Sequence, residues 1–162
     1  MRSGNPKRLT ATYKRHGTVN LFAALEVATG AIRGKTTQTK KRADFQTFMD
    51  EVIKDHPAGR QIHVVLDNLN THKKNDDWLA AHPNVTFHFT PTSASWLNQV
   101  EIWFGIFQRK TLNNASFGSI EQLTKAIHDF TAAYNTNAAP FVWRKREVKG
   151  AQLRNTIVNL CN

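Results

Sequence analysis

Apolar positions along the chain follow two periods, and the change between them marks out the elements. The run TVNLFAALEVAT, Thr18 to Thr29, ends at Gly30, and Ala31 to Thr37 follows as a second extended piece. Together they predict a hairpin of two strands. Phe45, Phe48, Met49, Val52 and Ile53 recur at helical spacing, which predicts an amphipathic helix from Lys41 to Lys54, ended by His56, Pro57, Ala58 and Gly59. Gln61 to Leu66 (QIHVVL) reads as a short buried strand leading into Asp67-Asn68-Leu69-Asn70. A helix through Trp78 and Leu79 should stop at His82-Pro83, and VTFHF, Val85 to Phe89, alternates as a strand closed by Pro91. Ser95 suits the N-cap of a helix from Trp96 to about Leu112, and Ser119 with Gln122 fits the capping box of a last helix reaching about Tyr134. That order is an α/β order with mixed strand directions, and it implies one sheet flanked by helices.

At 162 residues the chain has the size of one ordinary domain, with no internal repeat and no Pro/Gly linker to divide it. No apolar run approaches the ~18–20 residues that cross a bilayer, and no apolar segment follows the charged N-terminus as in a secretory signal. We therefore expect no membrane association. The single cysteine, Cys161, excludes an intrachain disulfide and fits a reducing cytoplasm. What shifts the picture is charge. The 22 Lys+Arg outnumber the 12 Asp+Glu by ten, a surplus that favours a polyanion and above all nucleic acid, although it also serves solubility. The cations fall in separate clusters: Lys7–Arg8, Lys14–Arg15, Lys40–Arg42, Lys73–Lys74, Arg109–Lys110 and Arg144–Arg146. That spread predicts a folded surface with basic edges rather than a basic tail.

Two carboxylates stand out. Asp67 directly follows a buried strand, and in open α/β sheets the carboxyl ends of strands face the crevice where ligands bind. The same residue also suits a turn or a helix cap. On the helix predicted from Trp96, the residues Trp96, Val100, Trp103, Phe104 and Phe107 form an apolar face. Asn98, Glu101, Gly105 and Gln108 gather on another side, either as a solvated face or as a lysine-free stripe around one acid. Two converging carboxylates can hold Mg²⁺ or Mn²⁺, and a pair of such ions serves phosphodiester chemistry. Spacing alone does not select Asp67 and Glu101 from twelve acids. Among the histidines, His63 and His88 sit on alternating strands as satisfied, partly buried imidazoles, whereas His72 lies five residues after Asp67 and can approach the same crevice. No GxSxG, Walker or GxGxxG motif is present.

HVVLDNLNTHK (His63 to Lys73) and FHFTPTSASWLNQVEIWFGIFQRKTL (Phe87 to Leu112) resemble the DDE-superfamily transposases of bacterial insertion sequences in the IS-six-thirty group, relatives of the Tc/mariner elements. HGTVNLFAALEVATGAIRG (His16 to Gly34) and PFVWRK (Pro140 to Lys145) are similar to the same family, so the likeness runs from about Gly4 to Lys145. The resemblance implies a ribonuclease-H-like α/β domain over residues 1–145, with a C-terminal tail over 146–162. It also implies an Asp-Asp-Glu triad that binds two divalent ions, Mg²⁺ or Mn²⁺, and cuts and rejoins DNA. Carried over by motif, the second Asp is Asp67 and the Glu is Glu101, with 33 residues between them. Asn98 and His72 become accessory residues. Lys73, Arg109 and Lys110 become candidates for phosphate contacts, and Trp96 either packs in the core or stacks on a base.

The family's first Asp stands on a strand upstream of the region matched here, and no Asp or Glu precedes Glu26. Glu26 falls within the block that resembles the family's second strand, so it is not promoted to the triad. The expectation is a catalytic-domain fragment without its first, central strand, inactive alone. Its partners would be DNA (transposon ends and target) and, within a bacterial cytoplasm and its nucleoid, a second copy or a full-length transposase. The alternative is a non-catalytic remnant that binds DNA or dampens a complete transposase.

Overall fold

The computed structural model describes residues 17–57, 59–91, 98–113 and 115–142. The predicted hairpin forms: β1 (Asn20–Leu25) pairs antiparallel with β2 (Ile32–Thr37), Leu25 opposite Ile32 and Asn20 opposite Thr37. The turn closes through Gly30, whose N–H donates to the Glu26 carbonyl at 2.7 Å. Its φ of +76° and the Ala139 carbonyl, 2.0 Å from where a Cβ would sit, leave room only for glycine.

Helix α1 (Arg42–Lys54) follows, started by the Asp44 carboxylate. Asp44 Oδ2 accepts the Lys41 N–H at 2.8 Å and the Thr39 hydroxyl at 2.5 Å. These bonds hold the Asp44 carboxyl below its ordinary range, the Thr39 hydroxyl contributing most. Then come β3 (Ile62–Leu66), α2 (Asp76–Ala81) and β4 (Val85–Phe89), with β3 and β4 parallel and Leu66 opposite Phe89. The crossover through α2 is what a parallel pair requires.

Helix α3 (Val100–Phe107) begins later than predicted: Asn98 and Gln99 precede it, and Ser95 and Trp96 lie outside the described residues. It runs into a π-helical turn at Gln108–Leu112 rather than continuing as α-helix to Leu112. The last helix, α4 (Ile120–Asn135), is capped by Ser119, whose hydroxyl accepts the Gln122 N–H at 3.3 Å. Here the reciprocal arm is displaced by one residue, since Gln122 Oε1 accepts from Gly118 N–H at 2.8 Å. Among the described residues no helix is long and apolar enough to cross a membrane.

The chain is therefore a mixed α/β fold of small sheets and helices. One expectation needs correcting. In place of a single sheet, the described residues form two two-stranded sheets, β1-β2 and β3-β4. Alternation along a strand fixes which side chains share a face; it says nothing about which strand lies alongside.

Two cores show how the pieces are held. Leu21, Ala23 and Leu25 of β1 pack with Ile32 against Trp103, Phe107 and Ile127 of α3 and α4. Trp103 is fully buried, its ring stacked on Phe107 at 5.6 Å. Phe22, on the opposite face of β1, joins a second core built by Phe45 and Met49 of α1 with Leu66, Val64 and Phe87. Phe22 stacks on Phe48 at 5.7 Å, and Phe45 meets Phe87 edge-on at 6.0 Å. So α1 lies across one face of both half-sheets, while α3 and α4 cover the other face of β1-β2 alone.

Candidate metal and nucleic-acid site

β3 ends at the buried Leu66, and the next residue, Asp67, emerges with its side chain 38 % exposed. The loop that follows is built around that carboxylate. Asp67 Oδ1 accepts the Leu69 N–H at 3.1 Å, an Asx turn, and also accepts from His72 Nδ1 at 2.7 Å. Asp67 Oδ2 takes no hydrogen bond among the described residues. The turn reading of Asp67 thus holds, carried by Oδ1.

His72 is held as firmly as it holds Asp67. Its ring lies 4.6 Å from that of Phe45, and its side chain is 15 % exposed. Beneath it Asn75, buried to 3 % exposure, organises the turn. Asn75 Nδ2 donates to the carbonyls of Thr71, His72 and Lys73 at 3.3, 2.9 and 3.3 Å, and its Oδ1 accepts from Gln46 Nε2 at 3.0 Å. Asn68 Nδ2 ties the other side of the loop to the Thr90 carbonyl at 2.5 Å. Sequence reasoning missed Asn75 and Gln46. An Asn after a basic stretch reads as an ordinary loop residue, and Gln46 as one more polar helix position.

Glu101 lies in the first turn of α3, exposed, where a carboxylate also complements the helix dipole. A large cavity of about 930 Å³ is bounded by α1, β1, β3 and the start of α3, and Asp67, His72, Asn98 and Glu101 all line it. The structure thus places these four on the wall of one large cavity. The rest of the predicted stripe separates. Gln108, at the π-helical turn, lines a second cavity of about 300 Å³ with Leu123 and Ile127. Gln108 stands about two helical turns along from Glu101, far enough to reach a different cavity.

Lys73, Arg109 and Lys110 are exposed and lie outside the cavity lining. No carboxylate pairs with any of them among the described residues. The Arg109 guanidinium reaches back over Gly105, where a Cβ would stand 3.4 Å from it, one turn along from Glu101. Lys73 sits in the Asp67 loop, its carbonyl bonded to Arg42 Nε at 3.3 Å. The clusters Lys7–Arg8, Lys14–Arg15 and Arg144–Arg146, with Trp96 and the segment 146–162, lie outside the described residues.

The histidine reading needs one correction. His63 and His88 are exposed rather than partly buried, and they satisfy each other, His63 Nδ1 standing 3.0 Å from His88 Nε2. Among the described residues no helix packs over their face of β3-β4. Glu26 is tied into the hairpin turn, Oε2 accepting the Thr29 hydroxyl at 2.9 Å. Among the described residues no three His, Cys, Asp or Glu side chains cluster as a ready metal site.

Comparison with known proteins adds one finding: the family model for the DDE superfamily endonuclease matches residues 1–124. No curated protein matches the chain.

Proposed function

Because the chain belongs to the DDE superfamily endonuclease family, a family of transposase-type nucleases whose substrate is DNA, we propose that the Asp67–Glu101 end of the large cavity is its divalent-cation site. The reading is carried by one observation. A strand-end Asp and a helix-borne Glu, with 33 residues between them in sequence, line the same cavity. The mixed α/β arrangement is consistent with a ribonuclease-H-like DDE domain.

The donor set fits a hard cation such as Mg²⁺ or Mn²⁺, which takes carboxylate and amide oxygens. Asp67 offers Oδ2, Glu101 its carboxylate, and Asn98 its side-chain carbonyl to orient a carboxylate or a water. What a pair of such ions supplies when bound is activation of the attacking oxygen and stabilisation of the leaving one in phosphodiester displacement. The rest falls to the chain. His72 holds Asp67 Oδ1 by its Nδ1–H, so Oδ2 keeps a fixed direction, and Asn75 holds His72 through the loop carbonyls. Lys73, Arg109 and Lys110, free of ion pairs among the described residues, contact backbone phosphates. The substrates in this reading are the ends of an insertion sequence of the IS-six-thirty type and its target, joined by strand transfer. Two carboxylates are few for two ions, so this chain alone is expected to bind DNA without cutting it. The same shortfall supports the second reading, a non-catalytic protein that binds DNA or pairs with a complete transposase.

Binding of a labelled duplex, followed by anisotropy across a salt series, tests the DNA part. Lys73→Ala, Arg109→Ala and Lys110→Ala should each lower the salt slope by about one phosphate contact. Binding that ignores salt and all three substitutions would remove DNA as the partner. A plasmid nicking assay in Mg²⁺ and Mn²⁺ separates the two readings. We expect no turnover from the chain alone, and cleavage abolished by Asp67→Asn would contradict that expectation while locating the chemistry at Asp67.

A further inference from the structure

Alternation along β3 and β4 sends their side chains two ways. Val64 and Phe87 enter the core against α1, so His63 and Val65 of β3, with Thr86 and His88 of β4, face the other way. His63 lies opposite Thr86 and Val65 opposite His88, which makes the two histidines diagonal neighbours on adjacent parallel strands. Their rings meet across that diagonal. His63 Nδ1 stands 3.0 Å from His88 Nε2, the ring centroids are 5.2 Å apart, and both residues are exposed. Neither ring pairs with a carboxylate among the described residues.

A hydrogen bond between two neutral imidazoles uses one ring N–H and one bare nitrogen. Moving the donor's proton to its other ring nitrogen leaves two bare nitrogens facing each other, with no change in net charge. Two nitrogens 3.0 Å apart, each about 2.0–2.1 Å from a shared ion, subtend an angle of about 95° at that ion. This is the angle between neighbouring ligands in a square-planar or octahedral shell, and it is narrower than the tetrahedral angle that Zn²⁺ takes.

We propose that His63 and His88 form a second cation site, which takes Cu²⁺ or Ni²⁺ with water completing the shell. Imidazole nitrogens select such late first-row ions, whereas Mg²⁺ and Mn²⁺ favour the carboxylate oxygens of Asp67 and Glu101. His63 precedes Asp67 by four positions, about 13 Å of extended chain, so the two sites fill independently. Because its ligands come from two strands, the site exists only while β3 and β4 are paired. Ion binding therefore adds to the stability of that pairing.

The inference does not use the Asp67–Glu101 reading, and it is tested in excess Mg²⁺. The full ¹⁵N-labelled chain is titrated with Cu²⁺. Amide broadening should begin around His63 and His88, before any other histidine, and the electron paramagnetic resonance of the first equivalent should show coupling to two nitrogens. His63→Gln and His88→Gln should each weaken binding by about tenfold or more, since each removes a ligand held at high local concentration beside the other. With Cu²⁺ at about a hundred times its dissociation constant, amide exchange across β3-β4, read by mass spectrometry, should slow by about a hundredfold.

Coupling to a single nitrogen would overturn the proposal without recourse to any variant. So would broadening that starts at another histidine, affinity unchanged in either glutamine variant, or exchange that the ion leaves unaltered. Asp67→Asn should change none of these readings, and Cu²⁺ binding lost in that variant would assign the ion to the oxygen donors instead. A failed Mn²⁺ titration at Asp67 leaves the histidine site standing, so the two readings fail separately.

Discussion

The two half-sheets of this protein are built to different standards. β1-β2 is covered on both faces, by α1 on one side and by α3 and α4 on the other, and it packs against the fully buried Trp103. Its start is clamped as well: Asn135 Oδ1 accepts the Ile32 N–H at 2.8 Å while Asn135 Nδ2 donates to the Ile32 carbonyl at 2.7 Å. Among the described residues β3-β4 is covered on one face only. Its other face leaves Val65 49 % exposed, and Phe89, the last residue of β4, is 43 % exposed. Yet the strand end that carries Asp67 belongs to the less protected half. The cation site proposed above thus lies on the half with less apolar cover, where local opening is expected to cost less.

The largest effect that would break this contrast comes from Trp103→Ala. Removing a fully buried indole should cost about 3–5 kcal/mol and abolish amide protection in β1-β2. Urea unfolding with residue-resolved exchange measures both. Equal loss of protection in β3-β4 at low urea would mean that the halves fold as one unit rather than as a strong and a weak half.

Asn75→Ala acts on the other side. It removes three donated bonds and one accepted bond from a buried site, and should cost about 1–3 kcal/mol. Its signature is local. Exchange should rise in the loop from Asp67 to Asn75 and leave β1-β2 unchanged, because among the described residues the Asn75 side chain bonds only to that loop and to Gln46. A uniform rise across the molecule would show that the loop is not a separate module.

A smaller, pH-dependent effect belongs to the element that the halves share. The Thr39 hydroxyl and the Lys41 N–H hold the Asp44 carboxyl below its ordinary range at the start of α1. A depressed folded-state pKa contributes stability that is present above the ordinary carboxylate range and lost as pH falls through the folded value. Asp44→Asn should therefore lower Tm modestly near neutrality, and the gap from wild type should close as the pH drops below the carboxylate range. A gap constant with pH would show that the charge is not what caps α1.

Periodicity and capping chemistry carried most of the elements. Phe45, Phe48 and Met49 mark the buried face of α1 as spaced, and Ser119 caps α4 as its sequence predicts. What stayed hidden has a physical cause in each case. Alternation in β1 and β3 tells inside from outside but is blind to lateral neighbours, so two separate sheets looked like one. The residues Asn98 and Gln99 have helix-compatible side chains, yet the helix starts at Val100. Asn75 carries its role in four bonds to backbone and to Gln46 that no spacing rule encodes. At the cavity the motif blocks pointed to Asp67 and Glu101, while the bonds of Asp67 Oδ1 to Leu69 and His72 needed coordinates.

The central claim is that divalent cations bind at the Asp67–Glu101 end of the cavity, and Mn²⁺ titration of the ¹⁵N-labelled chain tests it most directly. Paramagnetic broadening should appear first at the amides around Asp67, His72, Asn98 and Glu101, and Asp67→Asn or Glu101→Gln should each weaken the effect by about tenfold or more. Broadening centred on the exposed His63–His88 pair, or broadening unchanged in both variants, would contradict the account.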